Sequence, residues 1–137
     1  MKMVKNGIRK ILIAFIIDVV SFQSSFVGKA AEEPTIIDSG YSILGNTLKL
    51  NDAGYMSDIM GVSVNDKEYT KVDKKSDLIA SEKYALLEDG NIGISSLKEN
   101  DVVTIHFSSG DLKVTIKNPQ SFFGIYDKSS VIFTKKN

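Results

Sequence analysis

The chain contains no cysteine. Disulfides, thiol catalysis and zinc–thiolate sites are therefore excluded together. It contains a single histidine, His106. A zinc site of three or four protein ligands needs more nitrogen or sulfur donors than that. A Ser-His-Asp hydrolase needs an activated serine, and no Gly-x-Ser-x-Gly elbow is present. No segment follows the D-x-[DN]-x-[DN]-G calcium pattern, and there is no glycine-rich phosphate loop. After residue 31 no sustained helical periodicity occurs. No uninterrupted apolar run reaches the roughly 20 residues that a membrane-spanning helix needs. Internal repeats and low-complexity tracts are missing too. These absences predict a non-enzymatic protein with no catalytic residues, no metal and no cofactor of its own.

What is present points to one small exported domain. The 137 residues are 42% hydrophobic and 25% charged, which is ordinary for a globular chain and too apolar for a disordered one. Charge is unevenly spread. Five of the 17 basic residues but one of the 17 acidic residues fall in the first 30, leaving 12 against 16 and a net charge near −4. A mildly acidic domain without a basic stripe argues against nucleic acid and against an anionic membrane surface.

The basic N-terminus has the layout of a signal peptide. Lys2, Lys5, Arg9 and Lys10 precede the apolar run Ile11–Ile17, and Gly28-Lys29-Ala30 supplies small residues for cleavage after Ala30. Asp18 interrupts the apolar run, which argues against the alternative of an uncleaved membrane anchor. The expectation is a signal helix over 1–30, secretion, and a single domain over 31–137.

Within that domain the strongest signal is the stretch from Asn51 to Val72. A glycine-bearing loop presents Tyr55 and Met56, and Ile59–Val64 follows as a strand. Asn65-Asp66 breaks the run, and Glu68–Val72 is expected to return as the second limb of a hairpin. Upstream, Tyr41–Leu50 has strand character with Gly45-Asn46 as a turn or bulge. Lys71–Lys83 is a charged connection with room for one helical turn, for which Asp73 or Ser76 would be the cap.

Asp89-Gly90 joins two further short strands. Val103, Ile105 and Phe107 alternate with Val102, Thr104 and His106, and Leu112, Val114 and Ile116 alternate with Lys113, Thr115 and Lys117. Seven or so short strands separated by turn signals predict an all-β, Ig-like sandwich.

Few side chains stand out as candidates for function. His106 is expected as an exposed or partly packed strand residue, with a metal or haem ligand as the alternative. The scattered aspartates mostly fall in loops, where their side chains support turns. Tyr55 and Met56 lie at a loop tip, a preferred place for binding residues. Both offer adaptable contact area, but Tyr55 could instead plug one end of the sandwich. Tyr69 lies in mid-strand and suits the core. Phe122 and Phe123 are either an exposed apolar pair for a partner or the last strand's share of the core.

These residues resemble the haemoglobin-interacting domain of Shr-like haem-uptake proteins of Gram-positive bacteria. The likeness rests on Gly54-Tyr55-Met56, the spacing to Ile59, Val62-Ser63-Val64-Asn65-Asp66, Tyr69-Thr70-Lys71-Val72 and Leu112–Ile116. It covers roughly residues 48–117. Asp66 stands where the family more often has glycine, and Met56 where leucine is commoner. The resemblance implies an all-β fold and a protein partner, with haemoglobin the named candidate. Haem would be met only as part of that partner, in the service of iron acquisition. The contact surface it implies is Gly54, Tyr55 and Met56, supported by Tyr69 from the hairpin. The alternative is a generic cell-envelope or adhesion domain that binds carbohydrate or another protein.

Overall fold

Strict alternation along two strands builds the centre of the molecule. Val103, Ile105, Phe107, Leu112 and Val114 are all fully or almost fully buried, as the period of two predicts. The computed structural model describes residues 33–136; the expected signal helix over 1–30 lies outside the described residues. Ten strands are formed among the described residues: β1 (Ile36–Ser42), β2 (Gly45–Leu50), β3 (Ile59–Val64), β4 (Lys67–Glu68), β5 (Thr70–Val72), β6 (Lys83–Leu86), β7 (Asn91–Ile94), β8 (Val102–Phe107), β9 (Gly110–Thr115) and β10 (Ile132–Lys135).

The strands make two five-stranded sheets, in the orders β10-β9-β8-β3-β4 and β1-β2-β7-β6-β5. Every strand pairing among the described residues is antiparallel except β5 with β6. The protein is an all-β sandwich.

Leu48, Leu50, Tyr84, Ile92 and Ile94 from one sheet meet Val62, Val64, Val103, Ile105, Phe107, Leu112 and Val114 from the other in a single core cluster. Each such aliphatic or aromatic side chain contributes about 1.5–3 kcal/mol by leaving water. A domain without disulfides is held by this term.

Turn chemistry places the hairpins. Asn65 and Asp66 both take positive φ, 52° and 67°, which matches the right-handed twist of the flanking strands β3 and β4. Asp89 and Gly90 do the same between β6 and β7, at 59° and 81°. Ser108-Ser109 joins β8 to β9, so Phe107 faces Gly110 and His106 faces Asp111.

Several local expectations need correction. The return limb Glu68–Val72 is not one strand. Tyr69 still donates its N–H to the Val62 carbonyl at 2.9 Å, but the Thr70 N–H turns to the Glu82 carbonyl at 3.0 Å, and β5 joins the other sheet beside β6. Tyr41–Leu50 turns at Ile43-Leu44 and not at Gly45-Asn46. Gly45 cannot carry a side chain, since its φ is +150° and a Cβ would lie 2.4 Å from the Ile94 carbonyl oxygen. The one helical turn in the charged connection is Lys75–Ile79, which follows Lys74 with no side-chain cap, so neither Asp73 nor Ser76 serves. These splits, and a first strand starting at Ile36, raise the strand count from about seven to ten.

Candidate functional site

The loop expected to present Tyr55 is a 3-10 turn, Ala53–Asp58. Asp52 starts it by accepting the Gly54 N–H on its side chain at 2.8 Å. At its far end Ser108 donates through its hydroxyl to the Asp58 carboxylate. Gly54 is exposed, whereas Tyr55 and Met56 are half-buried against the core. The Tyr55 ring meets Phe107 edge to face at 6.2 Å. The ring plugs one end of the sandwich and keeps one side in solvent.

Tyr69 does not join this group. Its phenol is held above its ordinary range chiefly by burial, then by the charges of Asp101 and Glu82. Asp101 immediately precedes β8, whereas Phe107, which carries Tyr55, ends it. About 20 Å of strand separates the two ends at roughly 3.3 Å per residue. Gly54, Tyr55 and Met56 form one surface, and Tyr69 supports the opposite end of the sandwich.

At that opposite end lies the most exposed apolar feature of the described residues. Phe122 is 80% exposed, Phe123 99%, and Ile43 on the neighbouring β1–β2 turn 84%. Polar bonds brace the loop that bears the two phenylalanines. The N–H groups of Lys117 and Asn118 both donate to the Ile125 carbonyl, at 2.8 and 3.2 Å. The Ile125 N–H donates to Ser39 Oγ at 3.1 Å, and Asn46 Nδ2 donates to the Pro119 carbonyl at 2.7 Å. Ile125 is itself fully buried, and Phe122 meets Tyr41 edge to face at 6.1 Å. The loop is pinned at its base and holds two phenyl rings in water. The pair is exposed and is not the last strand's share of the core.

His106 projects from the outer face of its sheet with partners on both sides. Nδ1 lies 3.0 Å from Asp111 Oδ1, and Nε2 lies 2.8 Å from Ser63 Oγ. Neither Ser63 nor Asp111 was singled out by sequence motifs. The signal for Asp111 was available, since a two-residue turn at Ser108-Ser109 sets His106 opposite it. Among the described residues no group of three or more His, Cys, Asp or Glu is arranged to hold a metal.

Several aspartates serve turns as expected. Asp127 accepts from both the N–H and the hydroxyl of Ser129, and these bonds hold its carboxyl below the usual range.

No family model, no curated protein and no solved structure matches the chain. Among the described residues no helix is long and apolar enough to cross a membrane.

Proposed function

We propose that this chain is an exported protein-binding module that holds its partner through the braced loop bearing Phe122 and Phe123. The exposure of these two adjacent rings carries the proposal. An apolar pair left in water on a fixed loop costs solvation in the free protein and gains it back on docking, about 1.5–3 kcal/mol for each ring fully buried. Bracing lowers the ordering cost of association, because the loop is already shaped before contact. Aromatic side chains are the preferred anchors of interface centres.

Haemoglobin is the partner to which the sequence resemblance points, with haem reached only inside it. The Gly54-Tyr55-Met56 turn, at the other end of the sandwich, offers less free apolar surface and is the secondary contact in this reading.

A specific feature favours carbohydrate as the second reading. An open cleft of about 690 Å³ is lined by Leu86 and Leu87 together with Thr47, Asp73, Lys75, Glu88, Asp89 and Asn91, and these last six are able to bond hydroxyl groups. It has no aromatic floor on which a sugar ring could stack, so the protein partner is preferred.

The test is retention of the purified chain on immobilised haemoglobin, haem-free globin, free haem and cell-envelope polysaccharide at physiological salt. Saturable retention on haemoglobin or globin supports the proposal. Retention on polysaccharide alone replaces it with the second reading.

A further inference from the structure

The geometry points to Ser63 as a nucleophile that accepts an acyl group from a small activated ester, with His106 as its base and Asp111 as the group that orients the base. This adds to the binding reading and does not rest on it.

Three neighbouring strands supply the residues: Ser63 from β3, His106 from β8 and Asp111 from β9. The 3.0 Å contact of Asp111 Oδ1 with Nδ1 fixes the proton. An ionised carboxylate only accepts, so Nδ1 must carry the hydrogen of the neutral imidazole. Nε2 is then left with its lone pair facing Ser63 Oγ at 2.8 Å, and the hydroxyl donates to it. Nucleophile, base and orienting carboxylate thus stand in the order and at the distances that nucleophilic catalysis uses.

The surroundings limit the acyl donor. Met60, Glu68, His106, Phe107, Asp111 and Lys136 line a shallow depression of about 320 Å³. Gly61 faces His106 across the β3–β8 pairing. A Cβ built there would meet only Glu68 Oε2, at 3.4 Å, so the space beside the imidazole is open. Ser63 does not itself line this depression and is just 7% exposed, which excludes a bulky acyl group.

In the step, Ser63 Oγ bonds to the ester carbonyl carbon while its proton passes to His106 Nε2. The carbon–oxygen bond to the leaving group then breaks, and the departing alkoxide or phenoxide takes that proton. The products are an acyl-serine and a free alcohol or phenol. Ser63 lies inside a paired strand, so its backbone N–H is not free to form an oxyanion hole. One acyl transfer per chain is expected, without efficient turnover.

The probe is p-nitrophenyl acetate added to the full chain, followed by peptide mapping for an acetyl group on Ser63. Mapping separates the serine from acetylated lysines. The expected result is acetyl-Ser63 in the parent chain, with the rate cut on the order of 10²–10⁴-fold in His106→Gln. Asp111→Asn should slow it at least tenfold while the circular dichroism spectrum stays unchanged. The half-exposed Asp111 carries the test if His106→Gln fails to fold. A folded parent chain with no acetyl on Ser63, or equal acetylation in the folded variants, overturns the proposal.

Discussion

Asn46 Nδ2 donates to the carbonyl of Pro119 at 2.7 Å across 73 residues of sequence, while Asn46 Oδ1 accepts the N–H of Leu97 at 2.9 Å. One buried amide on β2 thereby ties down both the loop that bears Phe122 and Phe123 and the approach to β8. Asn46→Ala leaves the Leu97 N–H and the Pro119 carbonyl without this partner. A buried polar group stranded in this way costs about 1–3 kcal/mol. The expected outcome is a fall in unfolding free energy of that order in urea, together with faster hydrogen exchange at Leu97.

Tyr55 gives a prediction about stability in which its role at the sandwich end outweighs its exposed side. Its ring packs on Phe107, so Tyr55→Ala removes an aromatic pair worth about 0.5–1.5 kcal/mol along with the buried area of a half-exposed ring. A loss of about 2 kcal/mol in urea unfolding is expected. Partner binding by the folded fraction should change less than it does when Phe122 and Phe123 are replaced.

Burial leads the causes that raise the phenols of Tyr69, Tyr84 and Tyr126 above their ordinary value of 10.0. Negative charges add to the effect: Asp101 and Glu82 at Tyr69, Glu68 at Tyr84 and Asp38 at Tyr126. Below pH 10 these phenols are neutral in the folded and unfolded chains alike, and the folded state keeps its full stability. As pH rises through the ordinary value, the unfolded chain loses its protons first, so folding stability falls. Tyrosinate absorbance should therefore appear at higher pH in the folded chain than in urea, and the unfolding midpoint should drop over the same alkaline range.

Much of the fold was legible because period-two alternation and turn dipeptides act locally. Val103, Ile105 and Phe107 could face only one way once His106 faced the other, and Asp89-Gly90 closed its hairpin as its residue types require. The missed parts depend on distant partners. Nothing near Tyr69 signals that the Thr70 N–H will seek the Glu82 carbonyl, so the split return limb had no local mark. Ile43 and Leu44 are poor turn formers by type. They turn because Gly45 beyond them must press against the Ile94 carbonyl and Asn46 must reach Pro119. The site divides in the same way. Gly54, Tyr55 and Met56 are contiguous and stayed together, whereas Tyr69 was separated from them by the length of β8. Phe122 and Phe123 read equally well as core until Ile125 took the buried place.

The binding surface itself is tested most directly by the double substitution Phe122→Ser with Phe123→Ser, assayed for saturable retention on immobilised haemoglobin beside the parent chain. Both rings lie largely in solvent, so the unfolding free energy should stay within about 0.5 kcal/mol of the parent. Interface anchors cost about 2 kcal/mol or more when truncated, so the dissociation constant should rise roughly 30-fold or more. A folded double variant that is retained as tightly as the parent would contradict the account and move the contact surface away from this loop.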